Sequence, residues 1–310
     1  MKLATVEVQG RRRIGAVLDQ GATLLDLAAA HRAATGTVSP HFVDMLALID
    51  GGAAALALAR TYLAAPPAAA LSPSSAARWL APLPEPRQIR DCLVFEEHLK
   101  NAFAQAEKLT GRPYAIPPVW YERPLYYKAN RFSVIGTDQE VRWPAYSQVM
   151  DFELELACIL GRTGVDIPRA AAAPYIFGFT IFNDCSARDT PFQEMAGPLG
   201  PAKGKDFDTG NVFGPWIVTA DEIGDPYHLT MTARVNGAVW GGGSSGAMHH
   251  RFEDIIAFIS QSETLHAGEI IGSGTVGTGC GLELGRYLQP GDVVELEIER
   301  IGVLRNRFVR

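Results

Sequence analysis

Cysteine is scarce in this sequence, and the four that occur (Cys92, Cys158, Cys185, Cys280) are scattered, with no C-x-x-C pair. That scatter argues against a disulfide framework and against a cysteine-built structural zinc site. The opening residues MKLATVEVQGRRRIG lack the apolar core of a signal peptide, and no run reaches membrane-spanning length. Net positive charge is also absent. At −6 there is no general attraction to nucleic acid or acidic membranes, and no basic stripe is present. No glycine-rich loop joins a strand to a helix in a nucleotide-binding pattern, and GGGSSG at 241–246 is too irregular for a phosphate cradle. The expectation is a reduced, cytoplasmic protein of small-molecule chemistry, with no nucleic-acid or membrane partner.

What is present suits one large domain with a smaller one. The chain has 310 residues, 47% hydrophobic and 20% charged, with 31 Gly and 20 Pro. Residues 1–20 read as a hairpin turning at Gln9-Gly10. ATLLDLAAAHRAA and FVDMLALI have helical spacing. Residues 52–78 are Ala-, Pro- and Ser-rich, helical in their first half and linker-like in their second. The boundary is expected near residues 72–82, giving a small α/β domain over 1–80 and a larger domain over 81–310. Beyond residue 88 come short apolar or alternating runs such as CLVF, FELELACIL, YIFGFTIF and DVVELEI. Clear helices are few: EEHLKNAFAQAEKLTG and RFEDIIAFISQS. Strands without regular strand–helix alternation predict an α+β, mostly β fold with a sandwich- or barrel-like core.

In VMDFELELACILG, Asp151, Glu153 and Glu155 alternate with Phe152, Leu154 and Leu156. As one strand this places three acids on one face and three apolar groups on the other. A solvated face ordinarily mixes its acids with other polar residues, because same-face like charges repel. Here no cation follows until Arg162. A bound divalent cation relieves such repulsion, and oxygen-only ligands suit Mg²⁺, Mn²⁺ or Ca²⁺. Asp184 ends the apolar run YIFGFTIFN and must find a partner or a metal. Asp91 opens another apolar run and fits a loop or cap equally. Lys205, in PLGPAKGKDFDTGNVFGPWIV, can present an ammonium to an anionic substrate or sit in an exposed turn. His98 suits a structural role or a general base.

FELELACILG, GFTIFNDCSARD, PLGPAKGKDFDTGNVFGPWIV and GSGTVGTG followed by LQPGDVVELEIERIGVLRNRF together resemble the fumarylacetoacetate hydrolase family, across roughly residues 88–310. The resemblance implies mixed β-sheets rolled around a metal site, a small leading domain, and a homodimer. It implies Asp91, Glu153, Glu155 and Asp184 as ligands of Mg²⁺ (or Mn²⁺ or Ca²⁺), with Thr209 near the metal. His98 is the implied catalytic base, Lys205 an active-site and substrate-binding cation, and Thr275 a substrate contact. Smaller members place a glutamate three residues after the histidine, where this chain has Asn101. Fumarylacetoacetases instead use a distant L-E-L glutamate, which GLELG supplies here as Glu283. Asp151 is left as an outer or exposed acid. The implied reaction is hydrolytic cleavage of a carbon–carbon bond in a β-diketo acid or acylpyruvate, a keto-acid substrate. Glu107 and Pro191 stand where fumarylacetoacetases carry substrate-gripping arginine and glutamine, which points to a different substrate. Hydration, dehydration, decarboxylation or isomerisation of a 2-oxo acid on the same platform is the alternative. A non-catalytic metal-binding scaffold is a further rival, with no use for His98 and Lys205 together.

Overall fold

The computed structural model describes residues 1–197 and 199–310. Among them, twelve strands build one large sheet and five build a second. The hairpin of strands Lys2–Val8 and Arg11–Leu18 turns at Gln9 (φ 51°) and Gly10 (φ 72°). Positive φ at both positions is the turn whose twist matches that of paired strands. Lys2–Val8 then pairs antiparallel with Asn211–Thr219, continuing the sheet that carries the acids.

Two sequence readings change here. In ATLLDLAAAHRAA the first part is a strand, Thr23–Asp26, and the helix starts at Leu27. The free edge of the hairpin takes the TLLD backbone into its ladder, and Asp26 caps the helix by accepting from Ala29 N–H at 2.9 Å. The linker-like residues likewise contain a short strand, Leu71–Pro73, paired to Thr23–Asp26.

The central strand Leu154–Leu160 is buried on both faces between Ile176–Asp184 and Ile270–Gly272. Leu156, Cys158 and Leu160 enter one core, which they share with the five-stranded sheet. Ala157 and Ile159 enter the other, which contains Leu3, Ile14, Leu27, Leu48 and Ala59 of the leading segment. Residues 1–80 thus share both a sheet and a core with the rest of the chain. Period-two alternation then fixes where the acids point. Glu155 lies on the same face as Ala157, Asp184 on that of Phe182, and Asp91 on that of Ile89, all three apolar residues belonging to the second core. Successive strands in the order 176–184, 154–160, 270–272 and 89–92 therefore bring these acids together at one end of one face.

Candidate metal centre and histidine dyad

Asp91, Glu155 and Asp184 are fully buried, and one oxygen from each falls within 4.8 Å of the others. The strand between two of them carries Gly272. A Cβ there would run into Asp91 Oδ1 and lie 2.9 Å from Glu155 Oε2, so only glycine lets the carboxylates converge. Asp91 Oδ1, Glu155 Oε1 and Asp184 Oδ1 are buried with no N–H or hydroxyl donor among the described residues, so in the metal-free protein Asp91 and Glu155 can only share a proton between their carboxyls. Three orphaned anionic oxygens in one space are costly unless a cation takes them. The residues present therefore fit a hard divalent ion.

The charge states agree with that fit. Burial pushes Asp91 up to about 6 and Asp184 up to about 8, in the second case against the pull of Lys205. Glu155 is raised well above the carboxylate range, first by burial and then by Asp91. Deprotonated acids at this spacing need more compensation than the one ammonium of Lys205, shared with Glu153, supplies. Tyr127, on the strand Tyr126–Ala129, donates to Asp184 Oδ2 at 2.5 Å.

The row of three acids expected from one strand is broken. Regular pairing lapses at Phe152, leaving Met150–Asp151 in a two-stranded ladder with Ser186–Ala187, and Leu154–Leu160 in the large sheet. Glu153, bridging backbone to Cys280, leaves the three-acid group. Its Oε2 accepts from Lys205 Nζ at 2.5 Å, and its Oε1 lies 2.7 Å from Arg188. The Arg188 contact is one of charge, since that guanidinium nitrogen makes no well-directed hydrogen bond. Burial opposes ionisation of Glu153, but Lys205, Arg188 and then His98 outweigh it and hold the carboxyl below its ordinary range. Lys205 bridges Glu153 and Asp184, so its ammonium is the cation between the pair and the cluster. Burial opposes that charge, while Asp184 and Glu153 more than restore it.

Asp151 is neither exposed nor idle. Its oxygens accept from Gly281 N (2.7 Å), Leu282 N (2.8 Å), Phe152 N (2.9 Å) and Arg188 Nε (2.9 Å). It clamps the start of the short helix Gly281–Leu284, which carries Glu283, and ties it through Arg188 to Glu153. Arg188, inside NDCSARD, is a site residue that the sequence candidates did not include. Its signal was that an arginine directly after a buried strand pair has no solvent to reach.

His98 sits on the first turn of the helix Glu96–Thr110, and its Nδ1 lies 2.8 Å from Glu283 Oε1. Glu283 Oε2 accepts from Thr278 N (2.7 Å) and Asn101 Nδ2 (2.9 Å). Asn101 thus supports the distant glutamate. Cys280 Sγ stands 3.4 Å from Glu283 Oε1. Glu283 has no side-chain exposure and His98 only 8%. Glu283 fixes the ring with the proton on Nδ1, leaving Nε2 as the lone-pair nitrogen. Thr275 is buried in the loop whose Gly274 N–H donates to Glu155 Oε2 at 3.0 Å. Thr209 makes no hydrogen bond to the acids among the described residues. Its hydroxyl accepts from Arg142 N at 2.8 Å, because a left-handed backbone at this residue (φ 69°) turns it to the outer strand Glu140–Arg142.

A family model described as fumarylacetoacetate (FAA) hydrolase, C-terminal, matches residues 89–309. A Homo sapiens relative named oxaloacetate tautomerase FAHD2A, mitochondrial, is 33% identical over 267 residues, covering 86% of this chain and 79% of its own. A solved fumarylacetoacetate hydrolase from psychrophilic Exiguobacterium antarcticum is 28% identical, with TM-score 0.76 over 100% of this chain and 99% of that one. A 2-hydroxyhepta-2,4-diene-1,7-dioate isomerase from Mycobacterium marinum is 25% identical, with TM-score 0.69 over 100% and 98%. Among the described residues no helix is long and apolar enough to cross a membrane.

Proposed function

The chain belongs to the fumarylacetoacetate hydrolase family, and from that premise we propose a divalent-metal-dependent hydrolase that cleaves a carbon–carbon bond in a β-diketo acid or acylpyruvate. The observation that carries the reading is the 2.8 Å His98–Glu283 dyad standing beside a buried cluster with three orphaned carboxylate oxygens. Asp91, Glu155 and Asp184, with Glu153 on their border, would hold Mg²⁺ or a similar ion, which when bound would polarise a carbonyl as a Lewis acid.

His98 Nε2 takes a proton from water, and the resulting hydroxide adds to the carbonyl carbon. Glu283 keeps the imidazole in the productive tautomer and stabilises the imidazolium that forms. Asn101 and Thr278 N hold the second oxygen of Glu283, so the carboxylate does not turn away. The buried Lys205 ammonium faces the negative charge that develops on the substrate oxygen. As the carbon–carbon bond breaks, the leaving carbanion takes back the proton from His98. Water is thus divided between the two product acids.

A second reading, keto–enol tautomerisation or isomerisation of a 2-oxo acid, is favoured by similarity to the relative named a tautomerase. The same dyad moves a proton between carbon and oxygen without admitting water. A screen of acylpyruvates, β-diketo acids and 2-oxo acids with Mg²⁺ or Mn²⁺ separates the two. The hydrolase reading expects loss of enol absorbance with two acid products, one carrying oxygen from labelled water. Accelerated keto–enol exchange of oxaloacetate, with every diketo acid left whole, selects the tautomerase. We extend the reading to a homodimer, checked by light scattering, and to a cytoplasmic setting, which the four free, buried cysteines support.

A further inference from the structure

We propose that His98, Cys280 and Glu283 form a second metal site, which takes a borderline-soft divalent ion such as Zn²⁺ and thereby blocks the dyad. The three side chains offer nitrogen, sulfur and oxygen donors within 4.8 Å of one another, all buried. Their separations are 2.8 Å for His98 Nδ1–Glu283 Oε1, 3.4 Å for Cys280 Sγ–Glu283 Oε1 and 4.0 Å for Cys280 Sγ–His98 Nδ1. Tetrahedral zinc with ordinary Zn–N, Zn–O and Zn–S bonds spaces such donors by about 3.3–3.6 Å. The 2.8 Å and 4.0 Å edges therefore adjust by about 0.5 Å and the 3.4 Å edge by about 0.2 Å or less, within reach of side-chain rotation.

Donor softness separates the two clusters. Asp91, Glu155 and Asp184 offer oxygen alone, which suits a hard ion. The dyad adds imidazole and a sulfur, which Mg²⁺ does not seek and Zn²⁺ does. Cys280 Sγ has these two side chains within hydrogen-bond range, with the charges of Asp151 and Arg188 further out. Glu283 is already held by Asn101 and Thr278 through its other oxygen, so Oε1 is presented without reorganisation. On binding, the Cys280 thiol proton passes to solvent and the sulfur ligates as thiolate. The thiolate and carboxylate then balance the two charges of the ion, and no group changes oxidation state. Ligation at Nδ1 replaces the hydrogen bond to Glu283, and the ring proton moves from Nδ1 to Nε2, so the nitrogen that acts as the base is occupied. The binding stands on geometry alone; the inhibition rests on His98 being the base.

The test uses full-length protein saturated with Mg²⁺ and titrated with Co²⁺ as a spectroscopic stand-in for Zn²⁺. The expected result is a thiolate-to-cobalt charge-transfer band that saturates at one equivalent per chain and is absent from Cys280→Ser. It persists in Cys92→Ser, Cys158→Ser and Cys185→Ser. No band in the wild type, or a band that survives Cys280→Ser, overturns the site. Should Cys280→Ser fail to fold, Glu283→Gln keeps the thiol and weakens Co²⁺ binding at least about tenfold; unchanged affinity overturns the site equally. Zn²⁺ then abolishes turnover in step with the band. A band on a protein with no hydrolase activity refutes the proposed function alone. Full occupancy with turnover intact refutes the block.

Discussion

Replacing Glu283 by glutamine changes one atom and bears directly on the chemistry. Thr278 N–H and Asn101 Nδ2 both donate to Glu283 Oε2, at 2.7 Å and 2.9 Å. A glutamine keeps those bonds only by placing its amide oxygen there, which aims its NH₂ at His98 Nδ1. His98 must then accept at Nδ1 and carry its proton on Nε2, the nitrogen that has to take a proton from water. General-base catalysis contributes about 10²–10⁴ in rate, and the analogous carboxylate-to-amide change in a nucleophilic triad costs about 10⁴. The expected loss in kcat is therefore about 10²–10⁴, or about 2.7–5.4 kcal/mol of barrier. KM, cation content and Tm should stay near wild type, because packing and the acid cluster are untouched. The assay is kcat at saturating diketo acid and Mg²⁺, with cation content measured by mass spectrometry. A kcat within about threefold of wild type, alongside an inactive Glu153→Ala, would refute the dyad and favour an enolate-only reaction.

Three further outcomes follow from the buried charges. In metal-free protein Asp91 and Asp184 hold their protons up to about 6 and about 8, above the ordinary carboxylate. Their contribution to stability is complete below about pH 3.9 and is lost as pH rises through those values. Chelator-treated protein should thus lose Tm from about pH 5 to about pH 9, and saturating Mg²⁺ should flatten the slope; a Tm that climbs across this range under chelation contradicts the assignment. Asp91→Asn removes one of three crowded acids, so the metal-free Tm should not fall. Stabilisation by Mg²⁺, about 2.7 kcal/mol at one hundred times Kd for wild type, should shrink at the same concentration; an undiminished shift excludes Asp91 as a ligand. Asp151→Ala leaves the Arg188 guanidinium with Glu153 alone and strands the Gly281 and Leu282 N–H groups. Urea melts should show a loss of about 3–5 kcal/mol, and a loss under about 1 kcal/mol, the scale of a surface pair, would deny the clamp.

Much of the site was legible because its chemistry is local. An acid ending an apolar run, as Asp184 does, has few satisfied fates, and a glycine-punctuated row of strands is readable by period two. The hairpin at Gln9-Gly10 and the helix carrying His98 follow from turn chemistry and helical spacing in the same way. Thr209 was not legible, since motif spacing carries no information about the φ of 69° that turns it outward. Nor was the strand Thr23–Asp26, whose helical spacing lost to an unpaired edge.

The sequence by itself determined the composition of the site: carboxylates in apolar surroundings, a lysine, a histidine and a distant glutamate, on a strand-rich chain. Only the tertiary structure decided their grouping. The lapse in pairing at Phe152 sends Asp151, Glu153 and Glu155 to three sets of partners, although their spacing is identical. Asp151 meets backbone N–H groups 130 residues away, Glu153 meets Lys205 and Arg188, and Glu155 meets Asp91 and Asp184. Periodicity describes one strand at a time. Which charges meet depends on the neighbouring strands and on the absence of a side chain at Gly272, both set by long-range packing.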